Sequence, residues 1–185
     1  MTVEIRKATA LEARADDGAI RVSGYAAVFN EDADIGGMFI ERIAPGAFTD
    51  AITRDDVVFL INHEGLPLAR TRAGTLTLSQ DERGLLMETE LDATDPDVAR
   101  IVPKMKRGDL DKMSFAFIPE VQEWDDSGDI PVRTISRAAL ADVSIVTTPA
   151  YDGTEIGLRS LQAYRSKQCE TAQEFRLRMK RKLIK

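Results

Sequence analysis

One histidine and one cysteine are all the imidazole and thiol that this 185-residue chain carries. That scarcity excludes a metal site built on histidine or thiolate ligands. It also excludes an internal disulfide framework and fits a reducing compartment. Cys169 falls in a polar tail and reads as a free surface thiol. No apolar run approaches the ~18–20 residues of a membrane span. The opening Met1-Thr2-Val3-Glu4-Ile5-Arg6 has none of the character of a signal peptide, so the protein is expected in the cytosol. Phosphate-cradling GxxxxGK[ST] and GxGxxG loops are missing. GxSxG is missing too, which closes the α/β-hydrolase route. A carboxylate magnesium site survives these exclusions. The obvious acidic pairs, Asp55-Asp56 and Asp125-Asp126, fall in turns where solvation explains them, and neither a metal nor a cofactor is expected.

What is present is ordinary in bulk: 43% hydrophobic and 30% charged residues, the balance of a globular protein. The length suits one domain, or one domain with an appendage, and hides roughly 70% of the unfolded surface. The net charge of −6 is unevenly spread. Residues 159–185 carry nine Lys or Arg against Glu170 and Glu174, which leaves sixteen basic and twenty-nine acidic residues for the rest. An acidic body with a basic tail implies that the tail has an acidic partner of its own.

Along the chain, residues 3–13 and 19–30 are predicted strands around Asp16-Asp17-Gly18, with Gly24 marking a bulge or a close backbone approach. Pro45-Gly46 turns into a short helix over 47–52. Val57 to His63 reads as an interior strand on which His63 shares a face with Val57, Phe59 and Ile61. Residues 74–79 and 85–91 form a hairpin. Asp95-Pro96-Asp97 starts a helix that Gly108 stops and Pro103 should kink or split. Strands follow over 112–118, 120–124, 132–135 and 140–146. From Glu155 the period is helical, with a thin stripe of Leu158, Leu161, Tyr164, Phe175, Met179 and Leu183. About eight strands and two or three helices result: a mainly β, α+β domain over 1–158, more like a barrel or curved sheet than a βαβ array, and a basic helical tail over 159–185.

Three residues carry chemistry. In Lys112-Met113-Ser114-Phe115-Ala116-Phe117-Ile118 the two-residue period sends Met113, Phe115 and Phe117 to a core and Ser114 to a face with little bulk. By itself Ser114 is a filler on a half-exposed strand. Activated by a base it is a nucleophile, and histidine is the usual base because its pKa of about 6.5 lies near working pH. Any serine–histidine mechanism here must use His63. Asp142, flanked by apolar residues, needs a donor if it is buried. Arg133 or Arg137 would be the structural donor and His63 the functional one, and burial alone does not choose between them.

Five segments, in order, resemble the prohead maturation proteases of tailed bacteriophages, which are themselves similar to the herpesvirus assemblins: Gly24-Tyr25-Ala26-Ala27-Val28-Phe29-Asn30, Ile43-Ala44-Pro45-Gly46-Ala47-Phe48, Asn62-His63-Glu64, the run from Gly108 to Phe117, and Leu140 to Tyr151. The resemblance covers roughly residues 3–158. It implies a serine endopeptidase with a compact β-barrel flanked by helices. Such an enzyme acts inside the immature capsid in the host bacterial cytoplasm, on the scaffolding segment of the major capsid protein and on itself. Its catalytic residues fall on Ser114, His63 and Asp142, the last a shorter acid than the glutamate frequent at that place. A homodimer belongs among the implied assemblies. Arg137 is the suggested oxyanion donor, and the substrate is expected as an extended segment along a sheet edge. Two other readings remain: a catalytically silent capsid-assembly or scaffold protein of the same fold, and a nucleic-acid-binding barrel. The basic tail lacks the aromatics that would favour the latter.

Overall fold

The computed structural model describes residues 3–8, 11–16, 19–147, 161–167 and 171. Cys169, the turn at Asp17-Gly18, the 148–160 connection and the stripe residues Phe175, Met179 and Leu183 lie outside the described residues.

A long antiparallel hairpin, β10 (Lys112–Asp125) with β11 (Val132–Val146), forms the spine. Both strands alternate apolar residues into one core, and Met113, Phe115, Phe117, Val143 and Ile145 are all buried there. The sequence expectation divided each strand in two; both are continuous, with irregular register near Ala116 and Val121 taking up the mismatch. On the far side of β10 lies β1 (Glu4–Ala8), antiparallel, with Lys7 opposite Ser114. On the far side of β11 lie two parallel partners. These are β5 (Ile40–Ile43) along Val132–Ile135, with β4 (Ala33–Asp34) at its edge, and β6 (Val58–Ile61) along Asp142–Ile145. β7 (Glu64–Arg70) folds back on β6.

The second sheet runs β2 (Leu11–Asp16), β3 (Ala19–Val28), β9 (Gly84–Leu91) and β8 (Leu76–Gln80). Its buried residues, among them Leu85 and Met87, join Phe59, Phe115 and Ile145 in one core. Its close backbone approach comes at Gly84, where a Cβ would stand 2.0 Å from the Ala27 carbonyl oxygen.

The barrel expectation is corrected: among the described residues the two sheets share no strand, and neither closes. The reason is local. β11 is long enough for two different parallel partners along its second side, so that side forks instead of continuing round. The run expected as one strand over 3–13 is divided between the sheets, because Glu4 and Arg6 are held in a buried ion cluster on the first sheet.

Helix α1 (Thr49–Arg54) starts two residues later than expected. Helix α2 (Pro96–Arg107) has the expected ends: the Asp95 side chain accepts from the Asp97 N–H, and Gly108 closes it at φ 80°. Pro103 does not split it. Pro103 and Ala99 both lie on the exposed face, where water can satisfy the carbonyl that loses its partner, while Val98, Ile101 and Met105 pack inward. A third helical segment, 161–167, seats Leu161 beside Ile35 and Phe39 and stacks Tyr164 on Trp124 at 5.1 Å. Among the described residues no helix is long and apolar enough to cross a membrane.

Candidate active site

Strand order across the spine is β6, β11, β10, β1, so residues far apart in sequence become lateral neighbours. Residues paired across a ladder share a face. Ser114 pairs with Ser144 and Ala116 with Asp142, which puts two hydroxyls and a carboxylate on the side opposite Phe115 and Val143. That side is not open: Ser114 is 1% exposed and Ser144 fully buried.

His63 arrives from β6, though not at a strand rim as expected. Ile61 pairs with Glu64, leaving Asn62 and His63 as a two-residue turn with φ of 53° and 61°. Two consecutive left-handed residues are the signature of a type I′ hairpin turn, which suits asparagine and strains histidine by roughly 1–2 kcal/mol. Hydrogen bonds to the end of β11 hold the turn. The Asn62 N–H donates to the Ile145 carbonyl at 2.9 Å, and its side-chain oxygen accepts from the Thr147 N–H at 2.9 Å. The His63 N–H donates to Ser144 Oγ at 3.2 Å.

The imidazole so placed bridges the other two candidates. Its Nδ1 lies 2.6 Å from Asp142 Oδ1, and its Nε2 lies 2.8 Å from Ser114 Oγ. A carboxylate only accepts, so Nδ1 carries a proton toward Asp142, and the neutral ring leaves Nε2 free to take the Ser114 proton. The structural donors considered for Asp142 are engaged elsewhere. Arg133 pairs with Glu4 and Glu41, and Arg137 pairs with Glu120 at 3.2 Å. Arg137 also sits opposite Val121, well along β11 from Ser144, so the oxyanion role suggested for it is withdrawn.

Ser114 has a second acceptor, the Arg6 carbonyl of β1 at 2.7 Å. With β1 on one side and β11 on the other, β10 offers no free edge for a peptide around Ser114. The Arg6 guanidinium anchors that stretch of β1. It bonds Glu4 at 2.6 Å and Glu41 at 2.9 Å, and Arg133 bonds the same two carboxylates at 2.7 and 2.9 Å. All four residues are buried, and the formal charges cancel. Burial opposes ionisation of Glu4, but Arg133 and Arg6 outweigh it and hold its carboxyl below the usual glutamate range. Burial likewise works against the Arg6 charge, and Glu41 with Glu4 overcomes it, raising the guanidinium above its ordinary value.

Sequence reasoning passed over Ser144, Asn62, Glu41 and the Glu4–Arg6 pair. A signal existed for two of them. Asparagine directly before the lone histidine fits a left-handed turn, and opposite charges two apart on a predicted strand share one face.

The family model for caudovirus prohead serine proteases matches residues 7–168. The chain is 32% identical over 133 residues to the prohead protease of Enterobacteria phage HK97, an alignment covering 69% of this chain and 54% of that protein. The chain thus spans about half the length of the curated relative it matches. No solved structure matches it. On a match that runs from the end of β1 through both sheets and the whole β10–β11 hairpin, the chain belongs to the caudovirus prohead serine protease family.

Proposed function

We propose that this chain is a serine endopeptidase of capsid maturation, with Ser114 as nucleophile, His63 as general base and Asp142 as the carboxylate that holds His63. Its substrates are the scaffolding segment of the major capsid protein and the chain itself, cut inside the immature capsid. Self-association as a homodimer is part of this reading, and a single monomeric species in sedimentation velocity would remove it.

The single observation that carries the reading is the unbroken path Ser114 Oγ, His63 Nε2, His63 Nδ1, Asp142 Oδ1, with steps of 2.8 and 2.6 Å. Along it, the Ser114 proton moves to Nε2 as Oγ bonds the peptide carbonyl carbon. The imidazolium is stabilised by Asp142. As the C–N bond breaks, Nε2 returns that proton to the leaving amine, and an acyl-serine remains. Water then gives a proton to Nε2 while its oxygen attacks the ester. Nε2 passes the proton to Ser114 Oγ on release of the acid, and the starting state is restored.

The family match supports the reading, and incubation of the full chain with its cognate capsid precursor tests it. Wild type is expected to produce the trimmed product and Ser114→Ala to leave the precursor intact. Equal, intact bands for both would remove the assignment.

One observation favours a second reading, a silent capsid-assembly protein of the same fold: the hydroxyl is 1% exposed and already engaged by the Arg6 carbonyl. Under that reading Ser114→Ala assembles particles as well as wild type does, and neither chain cuts.

A further inference from the structure

Ser144 takes no part in the proton path, yet its hydroxyl touches both of the residues that set it up. Oγ lies 2.8 Å from Asp142 Oδ1, 3.2 Å from His63 Nδ1 and 3.2 Å from the His63 backbone nitrogen. A serine hydroxyl has one proton and two lone pairs. The proton goes to Asp142, because an ionised carboxylate can only accept. One lone pair accepts from the His63 backbone N–H, and the other lies beside Nδ1, whose proton is directed at the nearer Asp142 oxygen. Ser144 is fully buried, so no solvent can replace these bonds.

Its backbone is equally constrained. Ser144 pairs with Ser114 on one side and with Leu60 of β6 on the other, where the three site-bearing strands meet. One atom therefore ties the left-handed backbone of His63 to the carboxylate that orients its ring. The turn alone does not fix the ring, since His63 sits at a φ of 61° that a bulky residue adopts only when its surroundings impose it.

We propose that Ser144 is a positioning residue, which locks the His63 turn and the Asp142 carboxylate together so that Nε2 stays aimed at Ser114. This rests on the serine-peptidase reading of the site, but its effect is legible without turnover. His63 is the only histidine in the chain, so the hydrogen-bonded Nδ1 proton gives one low-field NMR resonance with no overlap from another ring.

The experiment compares wild type with Ser144→Ala in the full chain, reading kcat, KM and that resonance. Ser144→Ala is expected to lower kcat by roughly ten- to a hundred-fold, the cost of a loosened catalytic geometry. KM is expected to stay within about two-fold, as for a group that does not bind substrate. The Nδ1 resonance should broaden or vanish while the fold is kept. A kcat close to wild type with the resonance unmoved would overturn the proposal, as would a fall in melting temperature with no change in either readout. If Ser144→Ala does not fold, Ser144→Cys replaces it, keeping similar bulk with a weaker donor and acceptor; wild-type kcat and resonance there overturn the proposal equally. Should wild type itself fail to cut, the peptidase reading falls, and the resonance in the variant alone decides the role of Ser144.

Discussion

Replacing Asp142 with asparagine separates two things a carboxylate does beside an imidazole. The amide keeps the size and one acceptor oxygen, but it loses the charge and no longer enforces the tautomer. In comparable sites the loss is roughly 10⁴-fold, against about 10⁶-fold for losing the base or nucleophile. Asp142→Asn should therefore retain measurable cleavage where His63→Ala retains almost none, read as kcat/KM on a peptide spanning the natural cut. Equal losses would mean that Asp142 holds the structure of β11 and not the ring. At this scale the sequence was most legible where chemistry is rare: with one histidine, any serine–histidine mechanism had only His63 to use. What stayed hidden was the turn. A strand end and a type I′ hairpin place the same residue types within two positions, and only the backbone φ values tell them apart. Ser144 stayed hidden for a different reason, since its importance lies in being opposite Ser114, a relation between strands that no local pattern encodes.

Among the elements, β1 is held less by its apolar content than by ions. Its Glu4 and Arg6 reach Glu41 on β5 and Arg133 on β11, so one buried cluster ties the first strand to the sheet that carries the site. Glu4 is depressed below its ordinary value of 4.5. A depressed acid contributes stability that is complete above its unfolded value and is lost as the pH falls through its folded value. Stability against unfolding should therefore fall steeply in wild type as the pH drops below the ordinary glutamate value of 4.5, and less steeply in Glu4→Gln, which has no proton to take up at that position. Matching slopes would place the acid sensitivity elsewhere. A second element-scale test lies in the other sheet. Gly84 opposes Val28 where β3 and β9 shift register, and a Cβ there meets backbone, which cannot swing aside. Gly84→Ala should cost about 3 kcal/mol in denaturant unfolding; a loss within experimental error would show that the two strands can part cheaply. The longer strands were readable from alternation, and the ends of α2 from its capping residues; β4, β5 and β7 were passed over, the first two too short to show a period and the third interrupted by Gly65 and Pro67. Which sheet each strand joined was not, because the pairing of β11 with β5 and β6 is parallel and long-range, and the split of the N-terminal run depends on Glu41 and Arg133 far along the chain.

For the molecule as a whole, the question is how the basic C-terminal segment relates to the acidic body. Its helical residues 161–167 lie on a second, smaller apolar cluster made by Ile35 and Phe39, with Trp124 at the edge. Trp124 is edge-on to Phe39 at 5.0 Å and stacked on Tyr164 at 5.1 Å, and Arg133 of the buried ion cluster lies 5.7 Å over its ring. The main core shares none of its buried members with this cluster. Trp124 is the chain's one tryptophan, which makes its emission an unmixed report on the seat. Removing residues 159–185 uncovers the indole and the pocket for Leu161, which should shift the emission to the red and lower stability by roughly 2 kcal/mol, the value of one buried leucine. The same emission then follows the segment in the intact chain. High salt should leave it unchanged, because apolar contact is not screened as charge is, whereas Tyr164→Ala should move it part of the way toward the truncated value. Emission that ignores truncation would mean the helix does not rest on Trp124.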